Sequence, residues 1–209
     1  MPAFDSIAEA LESFRKGEFV VVLDDESREN EGDLIASAQD MTTERMAFLV
    51  KHSSGYVCVP ISEQIANELD LPLMVPELQD RHKTAYTVTV DAYEGTTTGI
   101  SAHDRAYTAR KLASASSNPS TFNRPGHILP LRARDGGVVV RRGHTEAAVD
   151  LCRLTGKRPA GVICELVRED DGMMARRDDC LAFAQKHGLK TITIDALVEY
   201  IMAHPQDAQ

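Results

Sequence analysis

Two apolar runs, Phe19–Leu23 and Leu34–Ala38, bracket the ten residues Asp24-Asp-Glu-Ser-Arg-Glu-Asn-Glu-Gly-Asp33. The runs read as strands that reach into a core, so the segment between them is held by the fold, unlike a charged tail. It carries six carboxylates and a single guanidinium, Arg28. That density of like charge repels itself unless a cation sits among it, and an oxygen-rich set suits a hard divalent ion such as Mg²⁺. The crowding also predicts that neutralising one carboxylate, Glu29 for example, relieves repulsion in the metal-free chain. Alone, the run reads first as a solvated acidic turn, and the rest of the chain overturns that reading.

The other elements follow from periodicity and caps. Asp5 or Ser6 caps a helix with Ile7, Leu11 and Phe14 on one face, ended by Gly17. Thr42 or Thr43 caps a second helix through Val50. Tyr56–Pro60 is a short strand, and Ser62 opens a helix to Leu69. Residues 70–83 are irregular. Tyr86–Asp91 alternates as a strand does. Gly95–Ser101 is a Gly/Thr loop. Ser101-Ala-His-Asp104 has the form of a capping box before a helix to Leu112. Ser114–Gly126 is a polar loop. Ile128–Ala133 and Gly137–Val140 read as strands, Thr145–Leu154 as a helix and Gly161–Val167 as a strand. Asp178–His187 is a helix, Thr191–Ile194 a strand and Ala196–Ala203 a last helix. His204–Gln209 frays. This mixture, without a regular βαβ repeat, predicts an α+β sandwich with a mixed sheet flanked by helices, in one domain spanning 1–209.

Composition excludes more than it selects. At 209 residues one core is sufficient. The net charge of −9 argues against nucleic-acid or anionic-membrane partners. No apolar run approaches the ~20 residues of a membrane span, and the start lacks a secretory pattern. Cys58, Cys152, Cys164 and Cys180 have no metal-ligand spacing. A reduced, cytoplasmic protein is expected.

Four further stretches carry chemistry. In Arg141-Arg-Gly-His-Thr-Glu146, His144 and Thr145 fall at a helix N-terminus, whose free N–H groups bind anions. Arg141 beside them can grip a phosphate, and His144 can ligate a metal. In Arg124-Pro-Gly-His127, Pro and Gly set a turn that aims His127. Glu165 interrupts an apolar strand, either facing solvent or buried for a purpose. The Gly95–Ser101 loop is a phosphate cradle, a lid or a plain mobile loop.

Five blocks resemble, in order, those of the 3,4-dihydroxy-2-butanone-4-phosphate synthase family. They are Asp24–Leu34, Thr97–Ala106, Arg124–His127, Arg142–Ala147 and Pro159–Glu165. The likeness runs from about residue 5 to 203. It implies conversion of D-ribulose 5-phosphate to 3,4-dihydroxy-2-butanone 4-phosphate and formate in riboflavin biosynthesis. It implies Mg²⁺ or Mn²⁺ as cofactor and a homodimer with active sites at the interface. Position by position, it makes Glu29 and His144 metal ligands. Arg28, Glu29, Asp33, Arg141, Thr145 and Glu165 become substrate contacts. His127, Glu165 and Asp33 become the catalytic groups, with Glu31 and Cys58 lining the pocket. Departures from the family pattern, at Ser27, Tyr86, Thr89 and 56–60, touch no proposed ligand. Many relatives carry a fused GTP cyclohydrolase II domain; this chain is too short to hold one as well and is expected to be monofunctional. The competing expectations are a metal-dependent phosphosugar isomerase and an inactive phosphosugar-binding relative.

Overall fold

The computed structural model describes residues 4–79 and 81–205. Seven strands form one mixed sheet: β1 (Val20–Leu23), β2 (Gly32–Ser37), β3 (Cys58–Ile61), β4 (Val90–Ala92), β5 (Phe122–Arg132), β6 (Gly161–Glu165) and β7 (Lys190–Thr193). Their order across the sheet is β4-β5-β3-β6-β2-β1-β7. β1 runs antiparallel to β2 and parallel to β7, and β3 runs parallel to β5.

Alternation along the strands builds two cores. Val21, Leu23, Leu34 and Ala36 face one way, toward α2 (Thr43–His52), α3 (Glu63–Glu68), α4 (Ala102–Leu112) and α7 (Arg177–His187). Val20, Val22 and Ile35 face the other, toward α1 (Ile7–Arg15), α5 (Gly137–Val140), α6 (His144–Leu154) and α8 (Ile194–Ala203). A sheet covered on both faces explains why its strands are continuous apolar runs. The expected α+β sandwich is the fold. No helix among the described residues is long and apolar enough to cross a membrane. All four cysteines are buried thiols.

Caps sit where the side chains place them. Ser6 and Glu9 form a reciprocal capping box on α1, and Thr42 and Ser62 cap α2 and α3. Ser101 caps α4, but Asp104 does not complete a box. Its carboxylate turns to the N–H groups of Thr97 and Gly99 and to the Thr97 hydroxyl.

Three expected elements change. Gly137–Val140 is a short helix, because Gly136 and Gly137 both adopt positive φ and the Val138 N–H is claimed by the Asp150 carboxylate. Tertiary contacts override the β-preference of three valines. Of Tyr86–Asp91, only Val90–Asp91 lies in β4; Tyr86 and Thr87 make single bridges to Leu131 and Leu73. The polar loop after Ser114 ends early, at Phe122, where β5 begins. Of the expected frayed tail, residues 206–209 lie outside the described residues.

Gly126 is a strand residue and does not turn the chain. β5 crosses β4 at an irregularity between Val90 and Asp91. A Cβ at Gly126 would lie 2.0 Å from the Val90 carbonyl carbon and 2.2 Å from the Asp91 nitrogen. Only glycine permits that approach. Gly126→Ala is expected to cost at least about 2 kcal/mol of unfolding free energy, since backbone must move. An unchanged urea midpoint would contradict this.

Candidate active site and metal centre

The site grows from strand register. Val22 on β1, Asp33 on β2 and Glu165 on β6 are successive Cα partners, so they form one line across three strands. Asp33 shares its face with Ile35, and that face meets α6. The N-terminus of α6 therefore points at this line. His144, its first residue, places Nε2 3.1 Å from the Val22 carbonyl oxygen. Arg28, Glu29, Glu31, Asp33, Cys58, Arg141, His144, Thr145 and Glu165 line one cavity, together with Thr84, Tyr86, Leu131 and Ile163. Nine residues singled out in the sequence thus meet.

The acidic loop is folded around one of its own carboxylates. Asp24 Oδ2 accepts from the Glu29 N–H and from Arg28 Nη1, and Oδ1 accepts from the Glu31 N–H. Arg176 ties the loop to α7 by donating to the carbonyls of Glu29 and Asn30. These roles of Asp24 and Arg176 had no signal in the sequence beyond charge.

Arg141 is engaged with the protein's own groups. It pairs with Glu146 at 2.5 Å and donates to the His82 carbonyl and the Thr84 hydroxyl. It thereby holds residues 82–84 against the cavity. Ser54 donates to Glu165 Oε2 at 2.7 Å, which orients that carboxylate.

His127 is the one expected catalytic residue that does not line this cavity. It lies at the β4–β5 crossing, where its N–H and Nδ1 both meet the Asp91 carboxylate, at 2.9 and 2.7 Å.

The electrostatics are those of crowded carboxylates around one imidazole. Burial pushes the Asp33 carboxyl up, to about 7, helped by Glu165, Glu29 and Glu31 and opposed by His144. Burial pulls His144 down, but Asp33, Glu29 and Asp24 outweigh it and hold the ring up at about 9. Burial raises Glu29, yet His144 and Arg28 prevail and lower it to about 2. The Cys58 thiol is held well above its ordinary value by burial and by Glu165.

These shifts correct the expectation that neutralising Glu29 relieves the loop. The repulsion falls on Asp33. A raised carboxyl costs nothing below its unfolded value near 4, and the cost is complete above about 7. A raised His stabilises fully below 6.5 and stops as pH passes about 9. Both make the chelated protein less stable as pH rises. Asp33→Asn is expected to stabilise it near pH 8 by on the order of 2–4 kcal/mol, and much less near pH 5. Melting curves at the two pH values, with chelator present, check this; a larger gain at the acid end contradicts it.

The donor set fits a divalent cation. With Nε2–H bonded to Val22, the Nδ1 lone pair of His144 faces Glu29 Oε2 and Asp33 Oδ1, each 3.7 Å away. Those gaps are too long for hydrogen bonds. Asp33 Oδ1 is buried and has no hydrogen-bond partner. Asp24, Glu29 and His144 each offer an atom within 4.8 Å of the others. Asp24 already accepts three hydrogen bonds that hold the loop, so Glu29 and His144 remain the better pair. A cation there must displace the His144 proton.

The geometry has counterparts. The family model described as 3,4-dihydroxy-2-butanone 4-phosphate synthase matches residues 8–200. A Candida albicans protein of that name is 63% identical over 198 residues, covering 95% of this chain and 97% of the relative. A Klebsiella pneumoniae protein of the same name is 50% identical, covering 99% and 94%. A crystal structure of such a synthase in complex with two magnesium ions superposes with a TM-score of 0.93. Its identity is 51%, and the match covers 99% of this chain and 100% of that one. The chain belongs to the 3,4-dihydroxy-2-butanone 4-phosphate synthase family.

Proposed function

We propose that this chain, acting as one domain over residues 1–209, converts D-ribulose 5-phosphate into 3,4-dihydroxy-2-butanone 4-phosphate and formate. The observation that carries the reading is the cluster of buried Asp33 and His144 with half-buried Glu29, beside Glu165. The reaction balances without an oxidant or second substrate. One five-carbon phosphate yields one four-carbon phosphate and one formate, through enolisation, dehydration, skeletal rearrangement, and re-addition of the water at the carbon that leaves as formate.

In this reading Glu29 and His144 hold Mg²⁺ or Mn²⁺. When bound, the cation polarises the sugar oxygens as the proton next to the ketone leaves. Thr145 and the α6 N-terminus meet anionic oxygens of the substrate, and Arg28 and Arg141 add positive charge at the cavity wall. Asp33 is a buried carboxyl that lines the cavity, and it takes and returns protons at the reacting carbons. Glu165 stands beside it in register and shares the proton transfers.

His127 completes the set from another chain. It stands outside the cavity of its own protomer, so the reading calls for a homodimer in which the partner's His127 enters the site. The activity belongs to riboflavin biosynthesis and to the cytoplasm.

Mass analysis of the product tests the reaction class. A four-carbon phosphate is expected. A five-carbon phosphate alone would identify an isomerase, and unchanged substrate an inactive binder.

A further inference from the structure

We propose that Asp91 is the positioning residue for His127, fixing which ring nitrogen is free to move a proton; this rests on the catalytic role given to His127 above. Asp91 meets one residue with both carboxylate oxygens. Oδ1 accepts the His127 backbone N–H at 2.9 Å, and Oδ2 lies 2.7 Å from Nδ1. The Asp91 side chain is 11% exposed and that of His127 42%. The carboxylate is thus shielded while the Nε2 edge of the ring is open. A carboxylate can only accept, so the neutral ring carries its proton on Nδ1 and presents the Nε2 lone pair outward. When Nε2 takes a proton, the same carboxylate stabilises the imidazolium.

Two glycines and a second buried acid build this pair. Gly126 allows the β5 backbone close enough to β4 for His127 to meet Asp91. Gly99 closes the other side. Its φ is +90°, and a Cβ there would lie 2.0 Å from Asp91 Oδ2 and 2.7 Å from His127 Nδ1. Asp104, only 1% exposed, holds that turn through the N–H groups of Thr97 and Gly99 and the Thr97 hydroxyl, at 3.1, 3.0 and 2.8 Å. The Gly95–Ser101 loop, whose purpose the sequence left open, is a wall pinned against the Asp91–His127 bond. Such outer partners fix tautomer and ring orientation elsewhere in proteins. The bland alternative is that Asp91 only staples the β4 irregularity through Oδ1.

Asn at position 91 separates the two. It retains an oxygen for the backbone N–H but removes the negative charge facing Nδ1. Asp91→Asn is expected to lower kcat for formate release about 10²-fold, with KM changed by less than about threefold. In a His127→Ala background the same substitution is expected to change the residual rate by less than about twofold, because Asp91 acts through that ring. Nitrogen-15 NMR of the parent at alkaline pH should show His127 as the Nδ1–H tautomer. This measurement stands even if the variant does not fold. An Nε2–H tautomer, a folded Asp91→Asn with the parent's kcat, or an equal loss in both backgrounds would overturn the proposal. A parent that releases no formate would instead remove the synthase reading, leaving the tautomer result to judge the Asp91–His127 geometry.

Discussion

His127→Ala and Glu165→Gln each slow formate release by on the order of 10²–10⁴-fold, the usual loss for one general acid–base group. Neither change touches a core contact, so melting temperatures stay near the parent's. Mixed under conditions that exchange protomers, the two inactive variants recover about a quarter of the parent rate. The arithmetic follows from a shared site. Half of randomly paired dimers carry one of each variant, and each such dimer has one site with both groups intact. The physical basis is the separation seen here: Glu165 lines the cavity with Asp33 and His144, while His127 is bonded to Asp91 outside it. Mixing that restores nothing, after exchange is verified by mass, would place both groups within a single chain's site.

Glu29→Gln weakens Mg²⁺ binding by on the order of 10–100-fold or more, read by calorimetric titration of the chelated and dialysed protein. It does not stabilise the metal-free fold. The ionised Glu29 is favoured by His144 and Arg28, which hold its carboxyl at about 2. A depressed carboxyl contributes stability above its unfolded value, and that contribution is lost as pH falls toward 2. At neutral pH the substitution therefore lowers the melting temperature, the opposite of Asp33→Asn. Undiminished Mg²⁺ affinity in Glu29→Gln would move the ligand to Glu31 or Asp33.

The sequence carried much of this site because its residues lie at the ends of well-marked elements. Phe19–Leu23 and Leu34–Ala38 announce two buried strands, and the charge between them is held at their shared end. His144 and Thr145 could be set at a helix N-terminus from the glycine before them and the apolar periodicity after. What stayed illegible depends on register between distant segments. Asp91 and His127 are 36 residues apart, and they meet because of an irregularity in β4 and the missing side chain of Gly126. Arg141 looked free for phosphate, but the His82 carbonyl and the Thr84 hydroxyl reach it from a distant segment, and Glu146 reaches it from the first turn of α6. Val138–Val140 looked like a strand because β-branched residues favour one. The chain turns helical there under two positive-φ glycines and the Asp150 contact. The position of His127 outside its own cavity has no trace in the local sequence at all.

The most direct test of the account is the stoichiometry of formate released from ribulose 5-phosphate by the purified protein, with Mg²⁺ and after chelation. One formate for each phosphosugar consumed is expected with Mg²⁺. Release should cease with chelator and return when Mg²⁺ is restored. Substrate consumed without formate, or full release after exhaustive chelation, would contradict it.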